Sequence, residues 1–310
     1  MRARSIYGKS PMEIQIALKE AIGDGFIPTL AIVFISIKQD RKAVREILAA
    51  QSIDVFGATS CGEFVDGHQS KGEIAILLMD LSRDLYAIVF EDMGAQSIQA
   101  AAKKVASSAL SNFSNPTLIV CSTGVTPDSE MFDGMSLVHE LSESIGRDRI
   151  FFGGMAGDDF TLTGTSVFTQ NEETNHGLVA LVFNADKVSL NGMAITGWKK
   201  LGISRKVTHS KGKLLYSIDG KPAVEMYLKY LGKGEEGEDQ EFDLLNELSF
   251  EYPFITEREN SQEILIKSAS DLIDLDHPNY QFVASRLLLF SVRKSLYGRL
   301  RELPTLENHI

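Results

Sequence analysis

The chain has 310 residues and a formal net charge of −11 at pH 7, which argues against nucleic acid or an anionic membrane surface as a partner. Hydrophobic residues make up 44% of the chain, as in ordinary globular proteins, and the longest apolar runs have the length of strands rather than of a membrane span. The N-terminus lacks the apolar run of a signal peptide, and two cysteines make no disulfide framework. We therefore expect a cytoplasmic protein with no membrane insertion.

The first ninety residues predict a crossover unit of helices and parallel strands. Ser10 suits an N-cap and Pro11 suits the first helical turn, so a helix is expected to begin there. The apolar run Leu30–Ile35 does not alternate with polar residues, which indicates a strand covered on both faces. The order is helix, strand, helix, strand, over residues 10–22, 30–35, 40–50 and 55–56. Two further β runs, 73–79 and 85–90, are separated by five residues and predict an antiparallel hairpin.

The same order of elements recurs in the next hundred residues. Helices are predicted at 97–113 and 133–145, and β runs at 118–121, 150–152, 166–168, 177–183 and 188–195. Such internal similarity is typical of a duplicated unit. We therefore predict an α/β fold, in which a duplicated α-β-α-β-β-β unit forms mixed sheets whose two copies are related by a pseudo-two-fold axis.

The C-terminal third predicts a smaller α+β domain. Strands are expected at 206–210 and 214–218, followed by a turn and a helix from Pro222 to Leu231. The acidic segment 233–241 has the composition of a solvated linker. Two more strands are predicted at 250–255 and 263–267, and the basic tail from Phe282 onwards indicates a terminal amphipathic helix or strand.

Each repeat contains one glycine turn directly after its second parallel strand. In the alignment of the two turns Gly57 matches Gly153, and Glu63 matches Asp159. Glycines remove side chains where a ligand or another backbone comes close, and ligands of α/β sheets tend to sit at the carboxyl ends of parallel strands. If the turns face each other, with Gly57 and Gly153 at the closest approach, a common cleft would be lined by Thr59, Ser60, Glu63, Gly154, Asp158 and Asp159.

Several other interpretations of these residues remain open. The glycines would also be explained if they only let the repeats pack, and Asp158 and Asp159 could cap backbone amides, ligate a metal or act as acid and base. Cys61 could be a nucleophile, although no histidine lies at a recognisable partner distance. A dinucleotide site is disfavoured because the glycine run at 153–157 does not open a helix. Any of five scattered histidines could ligate haem: His68, His139, His176, His209 and His277.

At the two glycine turns the chain resembles the FIST sensory-domain family. Residues 56–63 resemble its Gly-Cys-Ser-Thr-Ala-Gly-Glu segment, and residues 152–159 its Gly-Gly-x-Ala-x-Asp-Asp segment. Three later segments also match in order: 197–202, 207–208 and 219–223. After an N-terminal helix segment over 1–24, the resemblance implies a FIST N-like duplicated domain over 25–222 and a divergent or truncated FIST C-like domain over 223–310.

The resemblance also implies a function. It indicates an intracellular sensory module without catalytic residues, metal or obligatory cofactor, which binds a small ligand such as an amino acid or a related metabolite. The signal would pass to a partner such as a histidine kinase, a chemoreceptor or a cyclic-nucleotide signalling enzyme. Two alternatives are a haem-binding nitric-oxide sensor, as in one subset of the family, and a hydrolase that uses Cys61 or Asp158 and Asp159.

Overall fold

The computed structural model describes residues 1–126, 130–159, 161, 163–192, 199, 201–211, 214–232 and 252–257, and the strands at 264–273, 281–286 and 290–291. The chain divides into two compact units. The first comprises Met1–Ala194 with Leu289–Lys294, and the second comprises Ile195–Leu288 with Ser295–Ile310. Our predicted domain boundaries at 24/25 and 222/223 stay predictions. Among the described residues, no helix is both long and apolar enough to cross a membrane.

The first repeat begins with a strand that the sequence analysis did not predict. Both of its helices begin where their caps predict: the Ser10 side chain accepts a hydrogen bond from the Glu13 N–H, and Asp40 accepts one from the Ala43 N–H. The elements of this repeat are β1 Arg2–Gly8, α1 Pro11–Ile22, β2 Leu30–Ser36, α2 Arg41–Ala49, β3 Asp54–Ser60, β4 Glu63–Val65, β5 His68–Ser70 and β6 Ile74–Asp80.

The second repeat has the same order of elements. Ser97 and Asp133 cap its two helices by accepting hydrogen bonds from the N–H groups three residues on. Its elements are β7 Tyr86–Asp92, α3 Ile98–Asn112, β8 Pro116–Ser122, α4 Gly134–Ile145, β9 Phe151–Met155, β10 Val167–Thr169, β11 Glu173–Thr174 and β12 Gly177–Asn184.

The two repeats build two mixed sheets of matching design. The strand orders are β1-β6-β2-β3-β10-β11 in the first sheet and, with β19 at Phe290–Ser291, β19-β9-β8-β12-β7 in the second. In each sheet one parallel pair, β2–β3 or β8–β9, stands beside antiparallel strands. The predicted mixed α/β architecture is confirmed. One strand pairing joins the two repeats, because β10 of the second repeat pairs with β3 of the first.

The predicted hairpin between residues 73–79 and 85–90 is wrong. Strand β6 pairs with β1 and β2, whereas β7 pairs with β12 in the other sheet. The connection between them crosses from one sheet to the other, and its flanking residues Leu81 and Tyr86 are buried between the sheets. Strand β7 therefore opens the second repeat. The predicted strand at 188–195 is also absent over residues 188–192, while 193–195 lie outside the described residues.

Three apolar cores separate four layers in the first unit. One core lies between α1, α2 and the first sheet, and a second lies between α3, α4 and the other sheet. The third lies between the two sheets and includes Leu30, Phe56, Cys121, Val179 and Leu181. The layers are thus stacked in the order helices, sheet, sheet and helices. The turns that follow β2, β3, β8 and β9 begin at the carboxyl ends of these strands.

The described strands of the second unit pair in an antiparallel sheet beside one described helix, in agreement with the α+β prediction. The helix packs against the sheet through a small core that includes Leu215, Ile218, Val224 and Tyr227. Its elements are β13 Val207–Lys211, β14 Leu214–Ile218, β15 Lys221–Pro222, α5 Ala223–Tyr230, β16 Phe254–Glu257, β17 Ile264–Ile273 and β18 Gln281–Arg286. The strand order is β13-β14-β18-β17-β16, with β15 paired to β14.

Candidate functional site

The two glycine turns touch each other at Gly157. The Gly157 N–H donates a hydrogen bond of 2.9 Å to the Thr59 carbonyl. A β-carbon at position 157 would overlap the Cys61 sulfur and would lie 2.8 Å from the Cys61 backbone nitrogen. Only glycine therefore fits at this contact without movement of the first turn.

The predicted closest approach of Gly57 and Gly153 is wrong. A β-carbon at Gly57 would overlap the Phe168 ring on β10, and one at Gly153 would overlap the Val120 carbonyl on β8. Each of these glycines makes room for a neighbouring strand of its own sheet. The contact between the turns lies four residues beyond Gly153, at Gly157.

Asp159 joins the second turn to the end of β2. Its Oδ2 accepts a hydrogen bond of 2.6 Å from the Ser36 hydroxyl and lies 3.7 Å from the Lys38 ammonium. The side chain is only 8% exposed, and Oδ1 is buried with no hydrogen-bond partner in the part of the chain that the structure describes. The backbone of Asp159 is left-handed, with φ of 56°. Because a buried carboxylate oxygen without a donor is costly, this group is the most unusual feature of the site.

Glu63 lies at the base of the hairpin β4–β5. The carboxylate is buried, and its two oxygens accept hydrogen bonds from the Ser60 hydroxyl at 2.6 Å and the Glu73 N–H at 3.0 Å. Glu73 in turn pairs with His68 at 2.9 Å, and this hydrogen bond is the main reason that the pKa of Glu73 falls below its ordinary value. Glu63 and Ser60 are thus engaged with each other within the first repeat.

Two further predicted site residues, Asp158 and Thr59, serve the protein's own backbone. Asp158 is buried, and its Oδ2 accepts hydrogen bonds from the Thr163 and Gly164 N–H groups at 2.7 and 3.2 Å. This is the turn-capping role that the sequence left open for it. Thr59 is buried as well, and its hydroxyl accepts a hydrogen bond from the Ser166 N–H at 3.0 Å.

Gly154, the remaining predicted site residue, has room for a side chain among the described residues. A β-carbon at this position would meet no described atom within 4 Å. The sequence analysis missed Ser36 and Lys38, which contact Asp159. A signal was available, because in each repeat an apolar strand ends in a serine, Ser36 on β2 and Ser122 on β8.

The cysteines and histidines of the described residues form no cluster. Groups of three or more His, Cys, Asp or Glu side chains that could hold a metal ion are absent from the described part of the chain. Cys61 is a half-buried free thiol, whereas burial raises the pKa of Cys121 to about 12. His68 pairs with Glu73, His176 meets the edge of Phe132, His209 stacks on Tyr216, His139 is exposed, and His277 lies outside the described residues.

A short stretch of the chain is similar to ribonucleoside-diphosphate reductase alpha subunits. The protein from Buchnera aphidicola (subspecies Acyrthosiphon pisum) is 47% identical over 51 residues, which cover 16% of this chain and 7% of that protein. The alpha subunit of ribonucleoside-diphosphate reductase 1 from Escherichia coli is 48% identical over 48 residues, or 16% of this chain and 6% of that protein. In the phage T4 subunit the figures are 47% over 38 residues, 12% and 5%. The chain thus spans only a small fraction of these relatives.

A family model accounts for most of the first unit and the start of the second. The FIST N domain model matches residues 29–221. The match includes both glycine turns, the Ser36–Asp159 hydrogen bond and the strands β2 to β14. Because it covers more than half of the chain, the chain belongs to the FIST N domain family.

Proposed function

We propose that this protein is a non-catalytic sensory module, which binds a small polar ligand where the two turns meet. An amino acid or a related metabolite is the proposed ligand class. The proposal agrees with membership of the FIST N domain family, whose domains are classed as sensory. The single observation that carries it is the buried Asp159 carboxylate, with one oxygen unpartnered among the described residues.

The surroundings of Asp159 favour binding over catalysis. Both oxygens of Glu63 accept hydrogen bonds, from the Ser60 hydroxyl and the Glu73 N–H, and Oδ2 of Asp158 accepts them from backbone N–H groups of its own loop. Ser36 ends β2, one strand of the parallel pair β2–β3, and Asp159 lies in the turn that packs on this strand end. Ligands of α/β sheets tend to sit at the carboxyl ends of parallel strands. At Gly154, on β9, a β-carbon would meet no described atom within 4 Å.

The output of such a module would come through a second protein. We propose a histidine kinase, a chemoreceptor or a cyclic-nucleotide signalling enzyme as the partner and the cytoplasm as the location. We also propose that residues 223–310 form a divergent FIST C-like domain. The family match ends at residue 221, and the antiparallel strands β16 to β18 follow it. The similarity to reductase subunits adds no activity to this proposal, since it covers 7% or less of each reductase cited.

The proposal is tested by thermal unfolding of the full chain with single L-amino acids and related metabolites near millimolar concentration. A ligand that binds the folded state raises the midpoint of unfolding in a concentration-dependent way. At least one compound is expected to do so. The absence of a shift with every compound would reject the proposed function.

A further inference from the structure

Asp159 and Lys38 place one negative and one positive charge side by side at the end of β2. The Lys38 ammonium lies 3.7 Å from Asp159 Oδ2, and its side chain is 68% exposed. Its backbone is held in place, because the Lys38 N–H donates to the Ser36 hydroxyl at 3.2 Å. Lys38 can therefore swing its ammonium away from the carboxylate while the turn that carries it keeps its conformation.

The second carboxylate oxygen needs a donor that the described residues do not supply. Ser36 and Lys38 both lie at Oδ2, whereas Oδ1 is buried without a partner among the described residues. Asp159 has a left-handed backbone, and its carboxylate reaches across the repeats to the end of β2. An ammonium group suits the missing donor best, because hydrogen bonds between two charged groups are the strongest that proteins make.

We propose that the ligand is a zwitterion, whose ammonium donates to Asp159 Oδ1 and whose anionic group pairs with Lys38. This inference rests on the proposed function and assigns its two charge partners. An amine without an anionic group would bring a second cation beside Lys38, and like charges at this distance repel each other. A carboxylate without an ammonium would pair with Lys38 and leave Oδ1 without a donor. A zwitterion supplies a donor to Oδ1 and an anionic partner to Lys38 at the same time.

The inference is tested first on the unmodified protein, so that the test does not depend on a variant. Isothermal titration compares the L-amino acid that gives the largest thermal shift with two analogues, one lacking the amino group and one lacking the carboxylate. Loss of one charge-assisted hydrogen bond corresponds to roughly 10- to 100-fold weaker binding. Each analogue is therefore expected to bind at least about tenfold more weakly than the amino acid.

Two variants then test the residues. Asp159→Asn keeps the size of the side chain, tolerates the left-handed backbone and retains an acceptor for Ser36, but removes the charge. It should weaken amino-acid binding roughly 10- to 100-fold, and Lys38→Met should weaken it in the same direction. The matched controls are Asp66→Asn, at an exposed aspartate that is also left-handed, and Lys42→Met, at an exposed lysine of α2. Both controls should bind as the unmodified protein does.

The outcomes separate this inference from the proposed function. Equal amino-acid binding by the unmodified protein and Asp159→Asn would overturn the zwitterion site and leave the sensory function standing. The same holds if an amine or a carboxylate alone binds as tightly as the amino acid, or if only compounds other than zwitterions bind. If no compound binds the unmodified protein, both proposals are rejected.

Discussion

Gly157 donates its N–H to the carbonyl of Thr59 at 2.9 Å, and this hydrogen bond joins the glycine turn of one repeat to that of the other. The absence of a side chain at Gly157 makes the contact possible, since a β-carbon would overlap the Cys61 sulfur. The packing of the turns therefore depends on glycine at position 157.

A valine at position 157 should destabilise the protein. The new side chain would meet the Cys61 sulfur and backbone, and overpacking of this kind costs roughly 1–3 kcal/mol. The free energy of unfolding, measured by urea denaturation, gives the cost. Cys61→Ala/Gly157→Val should recover part of the loss, because the sulfur is the nearest of the three atoms that a β-carbon at this position would meet. Unchanged stability of Gly157→Val would show that the turns do not touch.

A valine at position 154 should act on the ligand and spare the fold. No described atom lies within 4 Å of a β-carbon there, and β-branched residues suit a strand, so the free energy of unfolding should stay the same or rise. Binding of the amino acid should nevertheless be lost, because the side chain fills the open space beside β9. Urea denaturation and titration on the same preparation check both halves, and undiminished binding would remove Gly154 from the site.

The serines that end β2 and β8 should respond differently to removal of their hydroxyl groups. Ser36→Ala takes away the 2.6 Å hydrogen bond to Asp159 and should cost about 1–3 kcal/mol, because the remaining carboxylate is buried. Ser122→Ala is the matched control, since the Ser122 hydroxyl is buried without a partner among the described residues and its loss should be neutral or stabilising. Equal costs for the two variants would contradict the special role of Ser36.

Glu73 should make the protein sensitive to acid. The hydrogen bond from His68 lowers the pKa of Glu73 below its ordinary value of 4.5, so the stabilisation is fully present above that value and is lost as the pH falls through the lowered one. The difference in free energy of unfolding between the unmodified protein and Glu73→Gln should therefore shrink as the solution is acidified below pH 4.5. His68→Ala removes this hydrogen bond, so the pKa of Glu73 should move back towards its ordinary value. A difference that is independent of pH would contradict this account.

Local chemistry explains which parts of the fold were predictable. Ser10, Asp40, Ser97 and Asp133 cap their helices through N–H groups three residues away, so the sequence alone places the helix starts. The β6–β7 connection was predicted wrongly because five residues suit a hairpin and also suit a crossing between packed sheets. Burial of Leu81 and Tyr86 between the sheets decides the matter, and no local pattern reports it.

The candidate site divides in the same way. The alignment of the two turns identified Asp159, but its partner Ser36 lies 123 positions earlier in the chain. A contact of that kind depends on the packing of one repeat against the other. Spacing also could not separate Asp158, which caps its own loop, from its neighbour Asp159, which crosses to the other repeat. The ligand-binding role of these residues stays a prediction.

The pairing of β10 with β3 has a consequence for synthesis of the protein on the ribosome. Val167, Phe168 and Thr169 extend the first sheet beside Ala58, Gly57 and Phe56, yet they are translated after β7, α3, β8, α4 and β9 of the second repeat. Until these residues are synthesised, β3 of the nascent first repeat has an open edge, and the space beside Gly57 is not yet filled by the Phe168 ring. Exposed edges of this kind invite pairing with other chains. A protein cut between its two repeats should therefore aggregate, because the first repeat would keep this strand edge open.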